Sequence, residues 1–131
     1  MVRTRLVGIG LLVAGLACSP YGPPTHAVTL RSGRQIRVRS TGPIVFAEGP
    51  PGLALSYETD LKISDREALR KEAIEIWQDF RLDADRAKVN SAVIMANEKP
   101  SGFIMTHNKG RRFLFNRQAD GSWPNEPRPS K

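Results

Sequence analysis

The chain has 131 residues, with 20 Lys and Arg against 13 Asp and Glu, a net charge of +7 and one cysteine. A lone cysteine excludes an internal disulfide framework, and a chain of this length suits one modest core rather than several domains. The basic excess is moderate: it fits a meeting with anionic headgroups, acidic polymers or nucleic acid, and it equally fits simple solvation of a small domain.

In chain order, Met1-Val2-Arg3-Thr4-Arg5 places two positive charges before residues 6–17, an unbroken run of apolar and glycine residues. That is the n-region and h-region pattern of an export signal. A helix rising 1.5 Å per residue needs about 20 residues to cross roughly 30 Å of hydrocarbon, so the run is too short for a permanent span. It ends in Gly15-Leu16-Ala17-Cys18. This segment resembles the lipobox of bacterial lipoproteins, with Gly15 standing where that family prefers Leu. The resemblance implies that Cys18 is acylated, becomes the new N-terminus and holds the protein on a membrane through its acyl chains. The other processing route uses Gly15 and Ala17 as a general signal-peptidase site and leaves Cys18 as a free thiol. An unpaired thiol is unusual in an exported protein, which favours lipidation. Two acyl chains anchor stably where one gives only marginal binding. Ser19 resembles the sorting pattern of lipoproteins destined for the outer membrane, which implies its periplasmic face where the host has two membranes.

Loss of residues 1–17 leaves 18 basic against 13 acidic residues, a net charge of +5. Residues 18–26, from the cysteine through Pro20, Pro23 and Pro24, read as a short tether. Residues 27–123 form the single domain. Residues 124–131 hold three prolines, which deny the backbone donors a sheet needs, so a disordered tail is expected.

Residues 27–39 alternate in the manner of strands, with Ser32-Gly33-Arg34 as the turn. A three-residue turn there sets Leu30 opposite Ile36 and Val28 opposite Val38, and sends Arg31, Arg37 and Arg39 together to the outer face. After Thr41-Gly42-Pro43, residues 44–46 and the alternating Leu53, Leu55 and Tyr57 give two more strands around a Pro- and Gly-rich turn. Ser64-Asp65-Arg66-Glu67 matches a capping box, with Ser64 as N-cap. From it Leu69, Ala73, Ile76, Trp77, Phe80, Ala84 and Ala87 recur at spacings of three and four, marking one long amphipathic helix to about Val89. Residues 92–96, 103–105 and 112–117 read as strands, the last paired with 103–105 so that Phe103 faces Phe115. Strands, one helix and more strands predict an α+β domain: a mostly antiparallel sheet with the helix on one face. From the helix to Trp123 the chain resembles small bacterial lipoproteins, a likeness that implies no particular activity.

Chemistry is sparse. His26 falls in the tether. His107, at the mouth of the last hairpin opposite Arg111, has no nucleophile motif beside it, so no catalytic residue is assigned. Asp79, Asp83 and Asp85 lack the glycine turn and closing glutamate of a calcium loop and read as a solvated helix face, so no metal site is expected. The helix opens on a capping box rather than a glycine-rich phosphate cradle, so no cofactor is expected. Arg31, Arg37, Arg39, Arg111 and Arg112 are the candidate anion-binding residues. Export argues against nucleic acid as the partner. The sequence therefore predicts a non-enzymatic envelope lipoprotein that binds an envelope protein or an anionic envelope component. The alternative is a small hydrolase or transferase acting on envelope polymers, built on His107 with Arg111 or Arg112.

Overall fold

The computed structural model describes residues 25–47, 49–99 and 110–129. Their order is β1 (His26–Thr29), β2 (Gln35–Ile44), β3 (Gly52–Thr59), α1 (Arg66–Ala87), β4 (Ser91–Glu98) and β5 (Gly110–Asn116). The strands form one five-stranded sheet in sequence order. Its neighbours are antiparallel except β3 and β4, which run parallel because α1 carries the chain back across the sheet. This is the expected α+β arrangement.

The apolar stripe of α1 positions it. Leu69, Ala73, Ile76, Trp77, Phe80 and Ala84 are all buried, and they meet Val38, Leu55, Tyr57, Ile94, Phe113 and Phe115 from the sheet. Trp77 lies at the centre, stacked on Phe115 at 4.0 Å between ring centroids, with Trp123 edge-on at 5.2 Å. The helix starts one residue later than the capping box predicts. Asp65 is the N-cap and its carboxylate accepts from the Ala68 amide at 3.3 Å. Aspartate caps as well as serine, and the apolar phase of the stripe is indifferent to the choice. Ala87, expected on the buried stripe, is exposed at the last turn.

Two strand expectations are corrected, and a third lies partly outside the described residues. The β1–β2 loop has three residues, but they are Arg31, Ser32 and Gly33, closed by the Leu30 amide donating to the Arg34 carbonyl and the Gly33 amide donating to the Leu30 carbonyl, and Gly33 supplies the left-handed φ of 98° that such a loop wants. Val28 therefore pairs with Ile36 rather than Val38. A shift of two keeps every side chain on its face but moves Arg31 to the tip. Second, Thr41-Gly42-Pro43 does not break the chain: β2 runs through it to Ile44. Beyond Val38, opposite His26, β2 is an edge strand, where proline is tolerated. On its described side β5 pairs with β4, Phe115 opposite Ala92 and Phe113 opposite Ile94. The expected partner, residues 103–105, lies outside the described residues. Gly52 is required where β3 begins, because a Cβ there would stand 2.6 Å from the Ser91 carbonyl oxygen.

The segment after β5 also departs from expectation. Residues 124–129, expected to be disordered, lie against α1 and β5. The Pro124 carbonyl accepts from Trp77 Nε1 at 2.8 Å, Arg70 holds Glu126, and the Arg128 amide donates to Leu114. Prolines remove donors but keep acceptors, and a buried indole N–H needs one.

Candidate functional site

The register sorts the sheet into two faces. Toward α1, Val38, Tyr57, Ala96 and Arg111 form one row across the strands, and Thr41, Leu55, Ile94 and Phe113 the next. On the opposite face the rows are Arg37, Glu58 and Asn97; then Ser40, Ser56, Met95 and Arg112; then Gly42, Ala54, Val93 and Leu114. No described element covers this outer face.

The helix side holds one polar network. Glu72 is 7 % exposed, and its carboxylate accepts from the Tyr57 hydroxyl at 2.7 Å, the Thr59 hydroxyl at 2.7 Å and Arg34 at 3.0 Å. Burial first, then the neighbouring Glu72 carboxylate, pushes the Tyr57 phenol far above its ordinary value. Around this network the β1–β2 loop clasps the helix. Arg34 also pairs with Glu75 at 2.9 Å, and Arg31 grips Asp79 with its amide and its Nε. Arg31 is thus a clasp between hairpin and helix, not a member of an outer basic face.

Arg37 and Arg39 do share the outer face, but with acids between them. Arg37 pairs with Glu58 at 3.2 Å and with Asp60 at 2.8 Å, and Lys99 approaches Asp60 at 3.4 Å. The hydrogen bond from Arg37 holds the Asp60 carboxyl below its ordinary value, and that same bond, with Glu58 adding to it, raises Arg37 despite its partial burial. Arg39 sits in a bulge where β2 slips by one residue between Val38 and Ser40, which turns its side chain toward Glu58. Its contacts are long, 3.4 Å to Glu58 and 3.5 Å to the Glu98 carbonyl, and Nε is buried with no hydrogen-bond partner among the described residues.

Arg111 and Arg112, both candidate anion-binding residues, point to opposite faces as neighbours in a strand must. Arg111 donates to the Ile63 carbonyl on the helix side at 3.4 Å, whereas Arg112 is exposed on the outer face and makes no ion pair among the described residues. Cys18 and His107 lie outside the described residues. Asp79 is taken by Arg31, Asp83 by Arg86 and Asp85 by Arg117 and Trp123, and among the described residues no group of His, Cys, Asp and Glu is arranged to hold a metal.

Beside the ion cluster, where β3 and β4 end, is a hollow of about 330 Å³ lined by Thr59, Asp60, Leu61, Lys62, Glu98 and Lys99. A shallower one of about 220 Å³ lies over Ser40, Gly42, Ala54, Ser56 and Met95 on the outer face. Sequence reasoning missed Glu72, Glu58, Asp60 and Lys99. A signal for Glu72 exists, because it falls within the spacing of Leu69, Ala73 and Ile76 on the buried stripe; the others become visible only once β2 and β3 are in register.

Comparison with protein-family models, with curated proteins and with solved structures finds no match for this chain.

Proposed function

We propose that this protein is a non-enzymatic binding module, exported and held on a membrane through acyl chains on Cys18, whose outer sheet face takes an anionic component of the cell envelope. The observation that carries the reading is the asymmetry of the sheet: α1 covers one face, while the other presents Arg37, Arg39 and Arg112 against the two acids Glu58 and Asp60. A net excess of one sign on an open sheet attracts a partner of the other. Support for the anchor is the Cys18 segment, and β1 begins only eight residues beyond it. Such a tether reaches at most about 29 Å, which keeps the domain close to the bilayer.

Arg112 is the residue to test, because reversing Arg37 or Arg39 would crowd carboxylates around Glu58 and confound binding with folding. Arg112→Glu should weaken association with vesicles containing phosphatidylglycerol, or with anionic envelope polymers, several-fold at low salt and leave the thermal midpoint unchanged. In parallel, Cys18→Ser should abolish an acyl mass on the protein recovered from host membranes. Equal binding of wild type and Arg112→Glu to anionic and neutral surfaces ends the binding reading, and an unacylated Cys18 in the wild type ends the anchored one.

A further inference from the structure

We infer that Arg39 is the core of a binding site for a monovalent oxyanion, a carboxylate or a phosphodiester, at the β2 bulge beside the hollow where β3 and β4 end. The inference deepens the binding reading and does not depend on the anchor. Its starting point is an imbalance. Three cations, Arg37, Arg39 and Lys99, share two carboxylates, Glu58 and Asp60. Both carboxylates are engaged more closely by Arg37, at 3.2 and 2.8 Å, than Glu58 is by Arg39 at 3.4 Å. Arg39 and Lys99 are held equally loosely, each at 3.4 Å, so burial decides which of them carries the unmatched charge.

Arg39 is the least hydrated of the three. Its side chain is 10 % exposed, against 36 % for Arg37 and 59 % for Lys99. A guanidinium withdrawn from water with an unpaired N–H is costly, and the deficit is an acceptor together with one negative charge. The adjoining hollow adds one acid, Glu98, and one base, Lys62, leaving the excess of one positive charge unchanged. Arg39 stands behind its wall, with Nη2 3.5 Å from the carbonyl oxygen of Glu98, one of the lining residues. The hollow opens at the carboxyl ends of two parallel strands, where loops rather than the next helical layer form the walls. A carboxylate or phosphodiester carries the one charge required, and either offers the paired oxygens that the Arg fork takes in bidentate fashion. A phosphate monoester, nearer two charges at neutral pH, overshoots the balance.

The test follows the Arg39 Nε–Hε resonance by NMR in the isotope-labelled full-length protein in detergent. The titrants are acetate and dimethyl phosphate, each compared with chloride at equal ionic strength. A saturable shift of that resonance with either oxyanion, at least tenfold weaker in Arg39→Met as read from resonances around the hollow, is the expected result. Arg39→Met should keep or raise the thermal midpoint in chloride, since the methionine removes a buried unpaired N–H. Arg39→Lys, which keeps the charge and lacks Nε–H, covers the case in which the methionine variant does not fold, and should bind several-fold more weakly than wild type. Shifts no larger than those with chloride, or shifts unchanged in both variants, overturn the site. Once the site is established, vesicles of phosphatidylglycerol against phosphatidylcholine separate a lipid headgroup from a soluble or polymeric source. Retention of the oxyanion response in Cys18→Ser separates this site from the anchor, and its retention in Arg112→Glu separates it from the wider face.

Discussion

The two faces of the sheet handle buried charge in opposite ways. Under the helix, the Glu72 carboxylate has a hydroxyl, a second hydroxyl and a guanidinium all within 3.0 Å. On the outer face, Arg39 is also largely buried, yet its contacts are 3.4 Å or longer and one N–H has no acceptor among the described residues. A satisfied network fixes the packing of helix on sheet, whereas an unsatisfied one stores a preference for whatever supplies the missing group. On this reading the helix side is built for stability and the outer side for an encounter.

The largest expected effect lies under the helix. Glu72→Ala leaves Tyr57, Thr59 and Arg34 without their common acceptor, and should lower the unfolding free energy by about 3 kcal/mol, read as a lower urea midpoint at unchanged slope. A loss no greater than that of an exposed helix position would mean that Glu72 is as loosely held as Arg39, and the contrast between faces would collapse.

Much of this architecture was legible. The spacing of Leu69, Ala73, Ile76, Trp77 and Phe80 named both the helix and its buried face, because a 3.6-residue period survives any error in the cap. The alternation in β1 and β2 kept the faces right although the register was off by two, since a shift of two preserves side-chain direction. The site was less legible because it depends on pairing across strands. Arg37 finds Glu58 through β2–β3 register, and Arg39 turns toward the same acid through a bulge that no local pattern announces. Arg31, read as part of the outer basic face, binds Asp79 of the helix, 48 positions away. The proline-rich end is hard to read for a different reason: its missing donors argue against a sheet, while the carbonyl that the Trp77 indole needs leaves no local pattern.

Titration sharpens the comparison at the alkaline end. Tyr57 resists ionisation in the folded protein because it is buried and donates to a carboxylate. A folded-state pKa raised above the unfolded value contributes stability that is fully present below the unfolded value, about 10 for tyrosine, and is lost as pH rises beyond it. Wild type should therefore lose stability above about pH 10 more steeply than Tyr57→Phe. At neutral pH that variant should cost only about 1 kcal/mol, one hydrogen bond to a carboxylate that keeps two others. Identical alkaline slopes, measured by urea unfolding at stepped pH, would remove Tyr57 from the network.

The smallest effect belongs to the outer face and to acid. Asp60 has its pKa lowered by the hydrogen bond from Arg37, so its contribution is present above the unfolded value near 4 and disappears as pH falls through the lower folded value. Its side chain is 71 % exposed, however, and solvent screens an exposed pair heavily. Asp60→Asn should accordingly cost no more than about 0.5 kcal/mol at neutral pH, and the difference from wild type should vanish in strong acid. The same substitution removes one of the two carboxylates shared by Arg37, Arg39 and Lys99 and so raises the local positive excess. If the outer face is tuned for an anion, Asp60→Asn should tighten acetate or dimethyl phosphate binding while barely moving stability, the reverse of what Glu72→Ala does under the helix. A variant that loses stability substantially and gains no affinity would place Asp60 in the scaffold, and the division of labour between the two faces would have to be redrawn.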